Sequence, residues 1–228
     1  MKPLRHIACS AALALAATAG PAASQSFDFL GGVRLIGNDY TLGYGALTYS
    51  FPETATGNAR LRVGGTALST RQFGPHLSQQ TLGVTGGYAW SVGPGGSFAL
   101  MAGPVYVSRS QAGQESIDEF GGLFVAEYGG FVGERGYFGA YAEHSTPDDA
   151  TFLRGFYSWY FTDAFGVGPD LSYFTEPGLR RAIVGVRASY VQNANVWSAI
   201  LGYGRTRNTR LDQTDNSPVL ELQVATRF

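Results

Sequence analysis

Beyond position 24 the chain contains no lysine and no cysteine: Lys2 and Cys9, the only residues of their kinds, both precede it. Disulfides and thiolate metal centres are therefore closed to the body of the protein. Charge of any kind is scarce, at 14% of residues against a usual share of about 25%. The formal balance is −1 over the whole chain. Removing Lys2 and Arg5 from the 16 basic residues leaves 14, all arginine, against 17 acids, or −3. A nucleic-acid partner normally requires a basic face, so that class is excluded. Long apolar runs are also missing. No stretch of 18 apolar residues follows position 24, which excludes a helical membrane protein.

What is present is glycine, at 32 residues, and aromatics, at 14%. The glycines keep no triplet spacing, so collagen is excluded, and the short aromatic-rich segments they punctuate point to an all-β protein. The length fits one domain. Residues 1–24 form a separate segment. Lys2 and Arg5 precede an apolar run from Ile7 to Ala19, then Gly20-Pro21 and the small residues Ala22-Ala23-Ser24. This is the three-part pattern of a cleaved secretory signal peptide, leaving 25–228 as the exported domain.

In that domain the hydrophobic pattern has period two. Leu220, Leu222, Val224, Thr226 and Phe228 alternate with Glu221, Gln223, Ala225 and Arg227. Ala182, Val184, Val186, Ala188 and Tyr190 alternate in the same way with Arg181, Ile183, Gly185, Arg187 and Ser189. Half-polar strands of about ten residues are the signature of a membrane-spanning barrel. The spacing predicts an antiparallel up-and-down transmembrane β-barrel of about twelve strands, over 27–36, 40–51, 60–70, 80–91, 97–108, 119–132, 137–146, 151–162, 165–175, 180–192, 195–205 and 217–228. Tight turns at 93–96, 133–136 and 193–195 face the periplasm in this reading, and long polar loops at 71–78, 109–118 and 206–216 face outward. Pro52 to Ala59 is the poor fit. Trp90, Phe98, Phe131, Phe138, Trp159, Phe161 and Phe228 fall near the periplasmic ends, as an interfacial aromatic girdle does. Leu222, Val224 and the terminal Phe228 form the carboxyl-terminal assembly signal of such a barrel. The competing fold is a soluble β-sandwich with its aromatics in the core.

An outward arginine at mid-membrane costs about 2–4 kcal/mol, so mid-strand charge must face the lumen. Parity places Arg34, Arg62, Arg154 and Arg187 there, with Glu127, Glu143, Asp170 and Glu221. Four guanidiniums and four carboxylates can pair into a network that braces and narrows the lumen. Tyr49, Tyr141, Phe156 and Tyr160 are expected inside or at loop bases, where they fill space or stack on sugar. Glu143-His144-Ser145 holds the residue types of a hydrolytic triad, yet neighbours on a strand face opposite sides. His76 and Asp148-Asp149 read as loop residues. No catalytic residue, metal site or cofactor is expected.

The run Asp39-Tyr40 to Tyr44-Gly45-Ala46-Leu47-Thr48-Tyr49, with Leu61-Arg62-Val63-Gly64-Gly65 and Ala140-Tyr141-Ala142-Glu143-His144-Ser145-Thr146, resembles the BcsS family of cellulose biosynthesis proteins. Phe152, Arg154, Gly168-Pro169 to Tyr173, Arg180-Arg181 and Gly185 continue the likeness. The resemblance implies an accessory outer-membrane barrel of cellulose production or export. Its partners would be outer-membrane lipid, cellulose or another glucan, and the cellulose synthase export machinery. It carries over no catalytic residue. A general small porin and a lipid-modifying enzyme using His144 and Ser145 are the alternatives. A closed barrel resists SDS until boiled, so the protein is expected to change its gel migration on heating. Identical migration before and after boiling would contradict the closed barrel.

Overall fold

The computed structural model describes residues 26–228 except position 94. The signal peptide expected over 1–24, with Cys9, lies outside the described residues. Twelve strands follow one another along the chain: β1 (Ser26–Ile36), β2 (Tyr40–Ser50), β3 (Gly57–Thr70), β4 (Leu77–Ser91), β5 (Ser97–Gln111) and β6 (Ile117–Val132). The second half continues with β7 (Gly136–Ser145), β8 (Ala150–Tyr160), β9 (Phe165–Glu176), β10 (Leu179–Gln192), β11 (Asn195–Asn208) and β12 (Gln213–Arg227). Each pairs antiparallel with its sequence neighbours, and β1 pairs with β12, with Arg34 opposite Glu221, to close the ring. Closure leaves no edge strand, so backbone groups are satisfied all the way round. The sandwich alternative is thereby excluded.

Period two sorts the side chains as the sequence pattern requires. On β10, Val184 and Val186 are exposed while Ile183 and Arg187 are buried. On β12, Leu220 and Leu222 are exposed and Val219 and Glu221 buried. The exposed face is the apolar one, the reverse of a water-soluble fold. Outward aromatics gather toward the end that carries both termini. Trp90 stacks on Phe98 at 5.9 Å, Tyr128 meets Phe138 at 5.9 Å, and Phe161 stacks on Phe165 at 6.4 Å. Two aromatics depart from the expected placement. Phe131 shares the inward parity of Val125 and packs on Tyr137 at 5.5 Å, so it stands at the lumen mouth and not in the girdle. Tyr49 faces outward between Phe27 and Phe51.

The expected long outer loops shrink to turns at 71–76, 112–116 and 209–212. Their polar residues belong to strands that continue past the apolar belt: Ser108 pairs with Asp118, Thr206 with Asp215 and Arg205 with Asn216. Above the belt both faces of a strand meet water, so alternation disappears while the ladder persists. Polarity alone therefore resembles a loop there.

Two rungs of the ladder are interrupted by the same dipeptide. Between β4 and β5 pairing runs to Gly83–Val105 and resumes at Gly86–Ala102, which skips Gly103-Pro104. Between β8 and β9 it runs to Phe156–Asp170 and resumes at Trp159–Val167, which skips Gly168-Pro169. Proline supplies no N–H to the rung. The glycine before it lets the facing carbonyl close in on Cα, so a Cβ on Gly103 would lie 1.9 Å from the Val84 oxygen. One on Gly168 would lie 1.9 Å from the Tyr157 oxygen. The wall thus stays tight where its hydrogen bonds lapse, through Cα–H···O contacts. Gly103→Ala and Gly168→Ala are each expected to destabilise the barrel by about 1–3 kcal/mol, read from denaturant unfolding in lipid vesicles. Unchanged midpoints would refute this account.

Candidate functional site

The interior is built in layers set by strand register. Next to the outer rim, Arg181 of β10 lies over the Tyr40 ring of β2 at 3.9 Å, and its Nη2 donates to Gln72 Oε1 at 2.9 Å. Below it, Ile36, Tyr40, Ile183 and Val219 form an apolar cluster with Leu42 and Leu68 packed against it. Inward-facing Met101, Val105, Val107 and Val125 are buried on the other side of the ring. The interior is therefore less polar than mid-strand charge implied. Side chains facing a narrow lumen exclude water from one another, and apolar groups serve there as well as polar ones.

Beneath the apolar layer lies the charged one. Glu221 accepts from Arg34 Nε at 2.6 Å, Arg154 Nη1 at 2.7 Å and the Tyr44 hydroxyl at 2.5 Å. Arg154 Nη2 and Arg187 Nη2 both reach Asp170 at 2.9 Å. Arg34, Glu221, Arg154, Asp170 and Arg187 thus form one continuous chain drawn from β1, β12, β8, β9 and β10. All five are buried, with side-chain exposures of 2–8%. Arg62 makes a separate two-pronged pair with Glu127, at 2.5 and 2.8 Å, from β3 to β6. Glu143 stands apart: it accepts from the Tyr141 hydroxyl and has no ion pair among the described residues. The expected pairing of four arginines with four acids thus holds for three of the acids. All four arginines are engaged by those three, and the half-buried Tyr141, whose ring lies 6.0 Å from that of Phe152, supplies Glu143 with its partner instead.

These contacts run across the lumen as well as along its wall. Arg154 on β8 meets Glu221 on β12, four strands away round the ring. The Arg34 guanidinium on β1 lies 5.5 Å from the Phe152 ring centre on β8, five steps round a ring of twelve. Arg187 covers Phe156 at 4.1 Å. At the outer end Asp148, in the β7–β8 turn, accepts from Arg109 of β5 at 3.0 Å and from Gln79 of β4 at 3.2 Å. The braces come from side chains projecting off the wall. The described turns on either end span at most six residues.

Several participants escaped sequence parity. Tyr44 sits between Gly43 and Gly45, which hide the alternation. Arg60, inward and with its Nε unpaired among the described residues, is the first residue of the expected 60–70 strand and so fell outside a mid-strand search. Arg181 shares the polar parity of its strand but lies near the start of β10, and Asp148 lies in a turn, so both fell outside a mid-strand search. Of the triplet, His144 faces outward, beside the exposed Phe124 ring at 6.5 Å and bonded to Thr151 at 3.0 Å. Ser145 is buried and its Oγ has no partner. The hydrogen bond a hydrolytic pair needs is not formed. Leu222 and Val224 lie on the outer face of β12, and Phe228 follows its last residue, its backbone bonded to that of Phe27. Leu222 and Val224 help line an apolar groove of about 970 Å³ on the exterior.

Taking the charge from Glu221 leaves three buried guanidiniums, those of Arg34, Arg154 and Arg187, with Asp170 as the one carboxylate of the chain. E221Q is expected to lower stability by about 3–5 kcal/mol, as breaking a buried ion pair does. Replacing Arg62 and Glu127 together, as R62M with E127L, is expected to stay within about 1 kcal/mol of the parent. Vesicle unfolding curves distinguish the two, and a fully stable E221Q would show that the network carries no such load.

No family model matches the chain, and no curated protein does. Among solved structures it is similar to the CymD monoaromatic hydrocarbon channel, with 9% identity and a TM-score of 0.51 over 90% of this chain and 88% of that one. It is also similar to the β-domain of the Bordetella autotransporter Brka, with 12% identity and a TM-score of 0.49 over 90% and 98%. A third is the KdgM porin, with 12% identity and a TM-score of 0.45 over 89% and 99%. At such identities the likeness is one of fold: the chain is an antiparallel β-barrel of the outer-membrane kind.

Proposed function

We propose that this protein resides in the bacterial outer membrane and serves there as an accessory barrel in cellulose production or surface placement, not as a diffusion pore. The membrane assignment rests on the inverted surface. Leu82, Val184, Leu201 and Leu222 are each more than half exposed around the ring, while Arg34, Arg187, Asp170 and Glu221 are buried within it. Such an exterior is soluble only in hydrocarbon. The link to cellulose rests on the resemblance to the BcsS family carried by the β2, β3 and β7–β10 residues.

The observation that carries the non-pore reading is the set of bridges across the lumen, Arg154 to Glu221 and Arg34 over Phe152. A permeation path needs an aqueous corridor, and here paired charges and aromatic rings span it. Purified protein in planar lipid bilayers is expected to show no steady open-channel current. Deleting the gene is expected to lower cell-associated cellulose or shift it into the medium. Steady current insensitive to glucan oligomers, together with unchanged cellulose, would replace this reading with a general porin.

A further inference from the structure

At the end of the barrel away from both termini, the 37–39 turn, the 71–76 turn and the first residues of β12 enclose a cleft of about 260 Å³. Its walls include Asn38, Asp39, Arg71, Phe73, Gln213 and Asp215. The polar groups are held in place from below. Gln72 donates to Asp215 and accepts from the buried Arg181, and Ser217 Oγ donates to Asp215 at 2.8 Å. The Arg71 backbone N–H donates to the Asp39 carbonyl at 2.8 Å, tying the two turns together. Carboxylate and amide groups anchored in this way keep their positions when a ligand arrives, which reduces the ordering cost of binding.

Phe73 is the second, separate observation. Its φ is 66°, in the left-handed region that a bulky side chain rarely takes. Gly74 follows it directly, so the strained conformation falls on the aromatic when a glycine is one residue away. Strain of this kind persists where the position of the side chain matters. Phe73 is half-buried and is the one aromatic of a cleft whose other walls are mostly amides, carboxylates, a hydroxyl and a guanidinium, with Ile36 beside them.

We propose that this cleft binds one neutral sugar ring of a polysaccharide at the cell surface. A pyranose has an apolar face that stacks on an aromatic and an equatorial rim of paired hydroxyls that amide and carboxylate groups engage two at a time. Two wall carboxylates against one guanidinium disfavour a uronic acid. The neutral sugar follows from the cleft alone. Its assignment to a β-glucan rests on the proposed function above.

The test uses the purified full barrel in nanodiscs, titrated with cellotetraose, maltotetraose and tetragalacturonate. Cellotetraose is expected to bind and tetragalacturonate to fail. Phe73→Gly relieves the strain, so it is expected to assemble with unchanged or higher heat resistance while weakening cellotetraose binding about tenfold. Phe120→Ala, which removes an outward ring near the same end, should bind as the parent does. Binding of no neutral oligomer, or equal binding by Phe73→Gly, overturns the site. Preference for maltotetraose keeps the neutral-sugar cleft and removes its β-glucan assignment. If gene deletion lowers cellulose yet no oligomer binds, the site falls and the function stands. If cellotetraose binds yet deletion leaves cellulose unchanged, the function falls and the site stands.

Discussion

A backbone crossing hydrocarbon must satisfy every N–H and C=O within itself, and in this protein the β1–β12 rungs complete that requirement. Once the ring is closed, each residue has a fixed side, and the solvent on that side dictates its chemistry. Outside, the medium is acyl chain and the surface is Leu, Val and aromatic. Inside, Arg34, Arg154, Arg187, Asp170 and Glu221 are buried, and buried charge is tolerated only where it meets a partner. Even the two places where proline breaks the ladder obey the constraint. Gly103 and Gly168 let the stranded carbonyls of Val84 and Tyr157 rest against Cα.

The same economy shapes the lumen. Arg154 serves both Asp170 and Glu221, and Glu221 in turn serves Arg34, Arg154 and Tyr44. Shared partners tie β1, β8, β9, β10 and β12 to one another across the ring, which resists the flattening that a hollow barrel of this size permits. Arginine suits the task because its planar fork engages two carboxylates at once and keeps its charge at any accessible pH. The absence of lysine beyond residue 24 is in keeping with that demand. A barrel braced in this way leaves its rims open to solvent, where the turns are polar, and the cleft beside Phe73 lies at one of them.

Much of this was legible in the residues. Period two along β10 and β12 separated lipid-facing from interior positions because a strand's alternation is geometric and independent of its neighbours. The inward set Arg34, Arg154, Arg187, Asp170 and Glu221 followed from the cost of charge in hydrocarbon. Legibility failed where that cost no longer applies. Above the apolar belt Arg109, Asp118 and Asp215 are strand residues that look like loop, and the side of Tyr49 and Phe131 depended on parity counted from uncertain strand ends. Glu143 looked equivalent to the other acids, yet its partner is a tyrosine two residues back on the same face.

The linear chain by itself determined the number of strands, their facing and the sign of what lies inside, since all three are set by local alternation and by the solvent on each side. Which arginine meets which carboxylate was decided only by tertiary structure. Register and ring closure bring residue 34 against 221 and residue 72 against 181 and 215, and no local pattern encodes a distance across the lumen. The cleft at the outer rim belongs to the second kind, because its walls come from two turns and a strand start that are neighbours only once the ring has closed.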